Sequence, residues 1–208
     1  MGAKPTPPFL IGIAGPSGSG KTALARHLAP LLPRDCAVIS LDSYYLPQVH
    51  LPLEERAGVN YDHPSAIDWD LLLQHLDRLR HGHAVEQPIY RFDRHTRDSA
   101  TRQVPPRPFL VLEGILALYC PKVRDLLDLK VFVDTPDQAC LGRRLRRDVL
   151  ERGRTESSVR DQYETTVRPM ALEYVLPTRQ YADVVVSGEL PIDQGVDCVL
   201  AAVRGQRV

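Results

Sequence analysis

The octapeptide from Gly15 to Thr22 is GPSGSGKT, and it follows directly on the apolar run FLIGIA from Phe9 to Ala14. This is the G-x-x-x-x-G-K-[ST] pattern in the context it needs, a strand entering a helix. Gly15, Gly18 and Gly20 let the backbone take φ > 0 and turn its N–H groups inward; with Ser17 and Ser19 between them they form a nest for phosphate oxygens. Lys21 adds a positive charge, and Thr22 offers a hydroxyl to Mg²⁺. With glycine near 7% of average usage, chance produces the pattern in roughly one chain of this length in a hundred. The segment therefore reads as a phosphate-binding loop rather than an idle turn.

Three acids, Asp42, Glu113 and Asp134, each close an apolar run. In doubly wound sheets ligands bind beyond the carboxyl ends of the strands. Phosphoryl transfer needs a metal held against the nucleotide and a carboxylate that orients the attacking hydroxyl and takes its proton. Thr22 with Glu113 suits the metal and Asp42 suits the base. Asp134, followed by Thr135 and Pro136, reads as a helix cap. Arg143, Arg144, Arg146, Arg147, Arg152 and Arg154 fall within twelve residues. Alone, such a run is a solvated helix face. Beside a phosphate loop it reads as a lid whose cations close over the charge developing on a transferred phosphoryl group.

The elements that must position these residues alternate in type, as in parallel-sheet α/β proteins. Strands are predicted at Phe9–Ala14, Cys36–Asp42, Phe109–Leu112, Leu129–Asp134 and about Ala182–Val186. Their short, nearly continuous apolar runs suit strands covered on both faces. Helices are predicted at Lys21–Leu32, Asp68–Arg80, Pro136–Arg152, about Ser157–Tyr174 with an interruption at Pro169, and Ile192–Val203. Trp69, Leu72, Leu73, Leu76 and Leu79 share one helical face. Residues 47–65 and 83–108 are polar, Pro-rich and unperiodic, and loops of that length inside a compact domain are usually functional.

The chain has 208 residues, 43% apolar and 25% charged, with zero formal net charge. One domain burying roughly 70% of its unfolded surface accommodates such a sheet with helices on both faces. Zero net charge argues against a nucleic-acid or membrane-surface protein. No apolar run approaches the roughly 20 residues of a membrane span. Cys36, Cys120, Cys140 and Cys198 form no C-x-x-C pair and read as reduced residues of a cytoplasmic protein. The opening MGAKPT matches the myristoylation pattern formally, but without a polybasic or second lipid signal residues 1–8 read as a disordered Pro-rich tail. The histidines outside the site, His81 and His83 among them, lack metal-ligand spacing and read as surface residues.

Taken in order, the phosphate loop, LDSYY from Leu41, NYDHPSAID from Asn60, PIYRF from Pro88, RHTR from Arg94, LEGIL from Leu112, VRDLLDLKVFVDT from Val123, RRLRRDVLERGR from Arg143 and PTRQYADVVV from Pro177 resemble the uridine kinase (uridine-cytidine kinase) family. The likeness runs from Phe9 to about Gly188. It implies a single α/β domain of the P-loop NTPase fold, a parallel sheet wrapped by helices, with a small β-rich nucleoside-binding excursion at about 83–108 and an Arg-rich lid at about 143–156. It implies ATP- or GTP-dependent, Mg²⁺-assisted phosphorylation of the 5′-hydroxyl of uridine and cytidine, as in pyrimidine salvage, by a homotetramer. Asp42 would be the general base. Asp62, assisted by Arg144 and Gln162, would hold the ribose. Tyr90 and His95 would address the pyrimidine edge, Phe92 would pack on the ring and Arg154 would reach the base, while Arg147 and Arg152 would lie near the transferred phosphate. The family usually has an acid after the tyrosine of PIYRF, where this chain has Arg91. A sugar-phosphate kinase of the phosphoribulokinase type and a non-catalytic nucleotide-binding regulator are the alternatives. A flat-base wall of Tyr90, Phe92 and His95 speaks against the first, and the base Asp42 against the second.

Overall fold

The computed structural model describes residues 7–206. The tail expected at 1–8, with its MGAKPT pattern, lies outside the described residues except for Pro7 and Pro8. Along the chain come β1 (Phe9–Ala14), α1 (Lys21–Leu28), β2 (Cys36–Ser40), α2 (Leu53–Ala57), α3 (Trp69–Arg80), β3 (Val85–Arg91), β4 (Thr96–Val104) and β5 (Phe109–Glu113). Then follow α4 (Pro121–Arg124), β6 (Leu129–Asp134), α5 (Asp137–Arg152), α6 (Glu156–Gln162), α7 (Arg168–Met170), β7 (Val184–Ser187) and α8 (Ile192–Gln206).

Five strands pair in parallel in the order β2-β5-β1-β6-β7. Central β1 sets Ile11 opposite Val111 of β5 and Ile13 opposite Val131 of β6. Because successive strand residues point to opposite faces, the continuous apolar runs feed two cores. Ile11, Ile13, Val111, Val131 and Val133 meet Leu24 and Leu28 of α1 and Val196, Val199 and Val203 of α8. Leu10, Leu110, Leu112 and Phe132 face the other way, into the core containing Leu72, Leu76 and Leu79 of α3. Each fully buried leucine contributes roughly 1.5–3 kcal/mol. Burial of both faces holds the carboxyl edge of the sheet, where the loops meet, as one rigid rim.

The termini of these elements follow local chemistry. Asp68 caps α3, its side chain accepting from the Leu71 N–H at 3.1 Å. Gly82, at φ 80°, ends the turn after it. Pro30 tightens the end of the first predicted helix into a 3₁₀ turn at Ala29–Leu31. The second predicted strand stops at Ser40, and Asp42 stands in a 3₁₀ turn, Leu41–Tyr44.

Two expectations need correction. Pro169 does not interrupt its helix: the run from Glu156 to Tyr181 is continuous, with π turns at Tyr163–Val167 and Ala171–Val175 and a 3₁₀ end. Pro169 sits in the first turn of α7, just after a wide π turn that redistributes the acceptors its missing N–H would have needed. Nor are all the other histidines on the surface. His75 lies on the inner stripe of α3 beside Leu72 and Leu76, buried, with Nδ1 3.0 Å from the Tyr44 hydroxyl. His63 is half-buried, its Nε2 3.1 Å from the Tyr174 hydroxyl.

The segment 83–108 folds as an antiparallel hairpin of β3 on β4, Val85 opposite Val104, with a register shift between Pro88 and Tyr90. Pro88 has no N–H for a ladder bond, which suits it to that irregularity. Most of β4 is exposed, so it carries no apolar alternation. Among the described residues no helix is long and apolar enough to cross a membrane.

Candidate active site

The loop from Gly15 to Gly20 joins the end of β1 to the start of α1. Gly18 and Gly20 have φ of 86° and 100°. A Cβ on Gly18 would collide with the Cys140 carbonyl on α5, so glycine is required by conformation and by space. The turn delivers backbone N–H groups to the positive end of α1, an arrangement that binds anions. Ser19 is fully buried, and its Oγ has no hydrogen-bond partner among the described residues. Its carbonyl accepts from Thr135 Oγ1 at 3.0 Å and from Arg143 at 3.3 Å. Arg143 also donates to the Gly188 carbonyl at 2.8 Å, tying α5 to the loop and to the end of β7.

Lys21 is buried, and its Nζ donates to the Pro16 carbonyl at 3.3 Å. Burial lowers its pKa, with Glu113 and Asp42 pulling the other way. Thr22 Oγ1 donates to Glu113 Oε2 at 2.9 Å. A hydroxyl and a buried carboxylate this close at a helix N-terminus are the oxygen donors that Mg²⁺ beside a nucleotide takes. The two residues, with the orphan Ser19 hydroxyl, fit a Mg²⁺–nucleotide pair.

A cavity of about 370 Å³ opens from this loop. Ser17, Lys21 and Thr22 of the loop line it together with Tyr90, Phe92 and His95 of the hairpin and with Asp42, Asp62, Arg144, Arg147, Arg152, Arg154 and Gln162. The residues predicted for base and ribose contacts thus border one space with Asp42, Arg147 and Arg152 and with Ser17, Lys21 and Thr22 of the loop, whereas Gly15, Gly18, Ser19 and Gly20 do not line it. Glu113 borders an adjoining groove with Thr22 and Asp42. Asp134 does not border it, nor does it cap α5 as expected: that helix starts after Pro136 with no side-chain cap, and the Asp134 carboxylate accepts from Arg179 at 3.2 Å on the surface. Burial raises the pKa of Asp62, opposed chiefly by Arg144.

The hairpin wall is aromatic and stiff. Tyr61 stacks on the His95 ring, centroids 5.8 Å apart and planes 18° from parallel, and its hydroxyl donates to the His95 carbonyl at 3.2 Å. This contact holds His95 in the left-handed region, φ 47°, which is uncommon outside glycine. Burial, then Arg154 and Arg152, lower the His95 pKa. Tyr45 meets Tyr61 and Tyr90 edge-on at 5.3 and 5.1 Å. Arg152 lies over the Phe92 ring at 4.2 Å, a cation–π contact between α5 and the hairpin. Arg91 turns its charge into the hairpin, pairing with Asp93 at 3.0 Å and Asp98 at 3.3 Å.

Of the six arginines, four converge on the cavity, Arg143 braces the loop, and Arg146 is solvated. Arg144 donates to Ser17 Oγ at 2.8 Å and to Gln162 Oε1 at 3.0 Å. Sequence reasoning missed Tyr45, Tyr61 and Asp93 as lining residues, although Tyr45 and Tyr61 stand inside the quoted LDSYY and NYDHP segments. It missed Asp148 as well, although arginines at both i−4 and i+4, a pair the neighbouring acid Glu151 lacks, are a signal that could have found it.

Sheet order, phosphate loop and cavity together define the P-loop phosphotransferase class of α/β proteins. The chain belongs to the Phosphoribulokinase / Uridine kinase family, whose model matches residues 10–191. It is 51% identical over 182 residues to the uridine kinase of Shewanella amazonensis, covering 85% of this chain and 86% of that one. To the uridine kinase of Alkaliphilus metalliredigens it is 46% identical over 198 residues, 95% of each chain. Among solved structures, a putative fructose transport system kinase from Silicibacter sp. superimposes with a TM-score of 0.70 at 21% identity, over 89% of this chain and 92% of that one. Phosphoribulokinase from Rhodobacter spheroides gives 0.66 at 15%, over 88% and 71%. These two likenesses establish the shared fold.

Proposed function

We propose that the protein is a uridine/cytidine kinase, transferring the terminal phosphoryl group of ATP, with Mg²⁺, to the nucleoside 5′-hydroxyl to give UMP or CMP. The observation that carries this is one cavity bordered together by the phosphate loop, the aromatic–histidine wall and Asp42. Its volume falls within the range of small-molecule sites. Kinship with uridine kinases at about half identity over most of the chain supports the same reading.

In this reading Asp42 accepts the proton of the 5′-hydroxyl while its oxygen forms the new bond to phosphorus and the bond to the leaving diphosphate breaks. Lys21, Arg147 and Arg152 hold the oxygens of the group in transit, where preorganised cations lower the barrier most. The amides of Gly15, Gly18 and Gly20, with Ser17 and Ser19, hold the donor phosphates. Thr22 and Glu113 would hold Mg²⁺, which supplies charge neutralisation to the phosphates. Asp62 accepts hydrogen bonds from the ribose hydroxyls beside Arg144 and Gln162. Tyr90, His95 and Arg154 address the base edge, and Phe92 packs on its face. With Arg91 neutralised by Asp93 and Asp98, the missing acid of PIYRF leaves no free cation on the hairpin at that position. The segments 83–108 and 143–156 act as acceptor platform and lid.

Purified protein with ATP, Mg²⁺ and uridine should form UMP and ADP in equal amounts, with negligible ADP release when uridine is withheld. ADP release indifferent to uridine would sink the proposal.

A further inference from the structure

We infer that Asp148 is the positioning residue of the arginine cluster: its carboxylate, together with the amide oxygen of Gln162, spaces four guanidinium groups so that Arg147 and Arg152 meet the transferred phosphoryl group while Arg144 and Arg154 face the nucleoside. The inference rests on the kinase reading above.

Asp148 lies on α5 and is fully buried. Its carboxylate stands 2.8 Å from Arg147 Nε, 3.5 Å from Arg144 Nε, 3.6 Å from Arg152 and 3.8 Å from Arg154. Arg144 and Arg152 come from one helical turn to either side, on the same face. Arg154 is brought back by Gly153, which ends α5 at φ 64°, and by its own N–H donating to the Asp148 carbonyl at 3.1 Å. From the opposite side Gln162 Oε1 accepts from both Arg144 and Arg154. The same four arginines border the cavity.

Four guanidinium groups brought together repel one another, and one carboxylate offsets one of them, so the five groups by themselves carry 4 − 1 = +3. That excess suits a nucleotide's phosphates. A buried carboxylate is weak evidence of stabilisation, since apolar replacements of buried ion pairs are often neutral or better. Asp148 Oδ2 even lacks a well-formed hydrogen bond. What the carboxylate supplies is spacing: it gathers around one point four guanidinium groups that all border the cavity.

The test compares wild type with Asp148→Asn, which keeps the shape and removes the charge. UMP formation should fall about 10²-fold in kcat, the scale of losing a preorganised electrostatic contact. Affinity for uridine with Mg²⁺, ADP and aluminium fluoride, a mimic of the transferred group, should fall by the same factor, while ADP alone binds within about threefold of wild type. A lowered Tm with unchanged kcat and unchanged affinity for the mimic would overturn the inference and leave Asp148 a fold residue. If Asp148→Asn does not fold, Arg152→Ala/Asp148→Asn, which loses a cation along with the carboxylate, is compared with Arg152→Ala. The mimic should bind about tenfold more weakly to the double variant; equal binding, or failure of both Asp148 variants to fold, overturns the positioning role. A wild type that forms no UMP would instead defeat the kinase reading.

Discussion

The two ends of the cavity are built by different means. At the phosphate end the backbone does the work: glycines at positive φ, the start of α1, and a loop so closely packed that Gly18 admits no Cβ against α5. At the acceptor end side chains do it, with Tyr61 holding His95, Tyr45 wedged against Tyr90, and arginines held by Asp148 and Gln162. Backbone cradles bind what all phosphates share. Side-chain walls are where acceptor choice is written, and they need long-range contacts to hold their shape.

The sharpest break lies between the two ends, at Asp42. Asp42→Asn should keep nucleotide affinity and lower kcat by roughly 10² to 10⁴, the span for losing a positioned general base. Nucleotide titration beside steady-state kinetics checks both halves, and unchanged kcat reassigns Asp42 to capping its 3₁₀ turn.

Next comes sugar selectivity at the acceptor end. A site that hydrogen-bonds a hydroxyl rejects analogues lacking it, and with water able to rescue part of the unpaired carboxylate the loss for 2′-deoxyuridine should be about 10² in kcat/KM. Asp62→Ala should lower uridine efficiency and narrow that gap; an untouched ratio makes Asp62 a turn residue. The raised pKa of Asp62 adds a stability test. A folded-state pKa above the unfolded value means the ionised carboxylate opposes folding, most strongly above both values. Asp62→Asn should therefore raise Tm at pH 7, with the gain shrinking as pH falls through the carboxylate range.

Two glycines, one in the phosphate loop and one inside α5, separate conformation from composition. Gly18→Ala should cost about 1–3 kcal/mol in denaturant unfolding and weaken ADP binding, because the strained φ and the Cys140 carbonyl both oppose it. Gly142→Ala, inside α5 with nothing near its Cβ, should stabilise by about 0.5–1 kcal/mol. Equal effects at the two sites would contradict a backbone-defined cradle.

The smallest effect is a pH dependence of base choice. His95, its pKa lowered by burial and by Arg154 and Arg152, is neutral at pH 7 and can donate or accept, so it meets either uracil O4 or the cytosine amino group. Below its pKa it only donates, which favours the O4 acceptor. The uridine-to-cytidine ratio of kcat/KM should stay flat above pH 7 and rise several-fold at pH values below the ordinary histidine pKa of about 6.5. His95→Phe should abolish the rise.

The same contrast explains what the sequence disclosed. Gly15 to Thr22, the apolar strands and the stripe of α3 are local signals, written in spacing, and the structure places them within a residue or two. Asp42 was found by its place after a strand, although the strand ends two residues sooner and a turn presents it. Tyr45 and Tyr61 had no such signal, because their roles arise from partners far along the chain, whereas Asp148 had a local one, arginines one helical turn to either side, that was not read. By its residue pattern the hairpin was legible only as a long polar stretch, since exposed β4 has no face to alternate; its β-rich character came from the family resemblance alone. Pro169 misled because a π turn, invisible to a 3.6-residue period, absorbs it.

The most direct test of the whole account is an acceptor panel on purified protein with ATP and Mg²⁺, comparing kcat/KM for uridine, cytidine, adenosine and ribulose 5-phosphate. The account predicts uridine and cytidine as the two best acceptors, ahead of the others by about 10² or more, the scale on which unpaired polar groups reject a wrong ligand. Ribulose 5-phosphate or adenosine matching uridine would contradict it, because the aromatic wall would then have no part in acceptor choice.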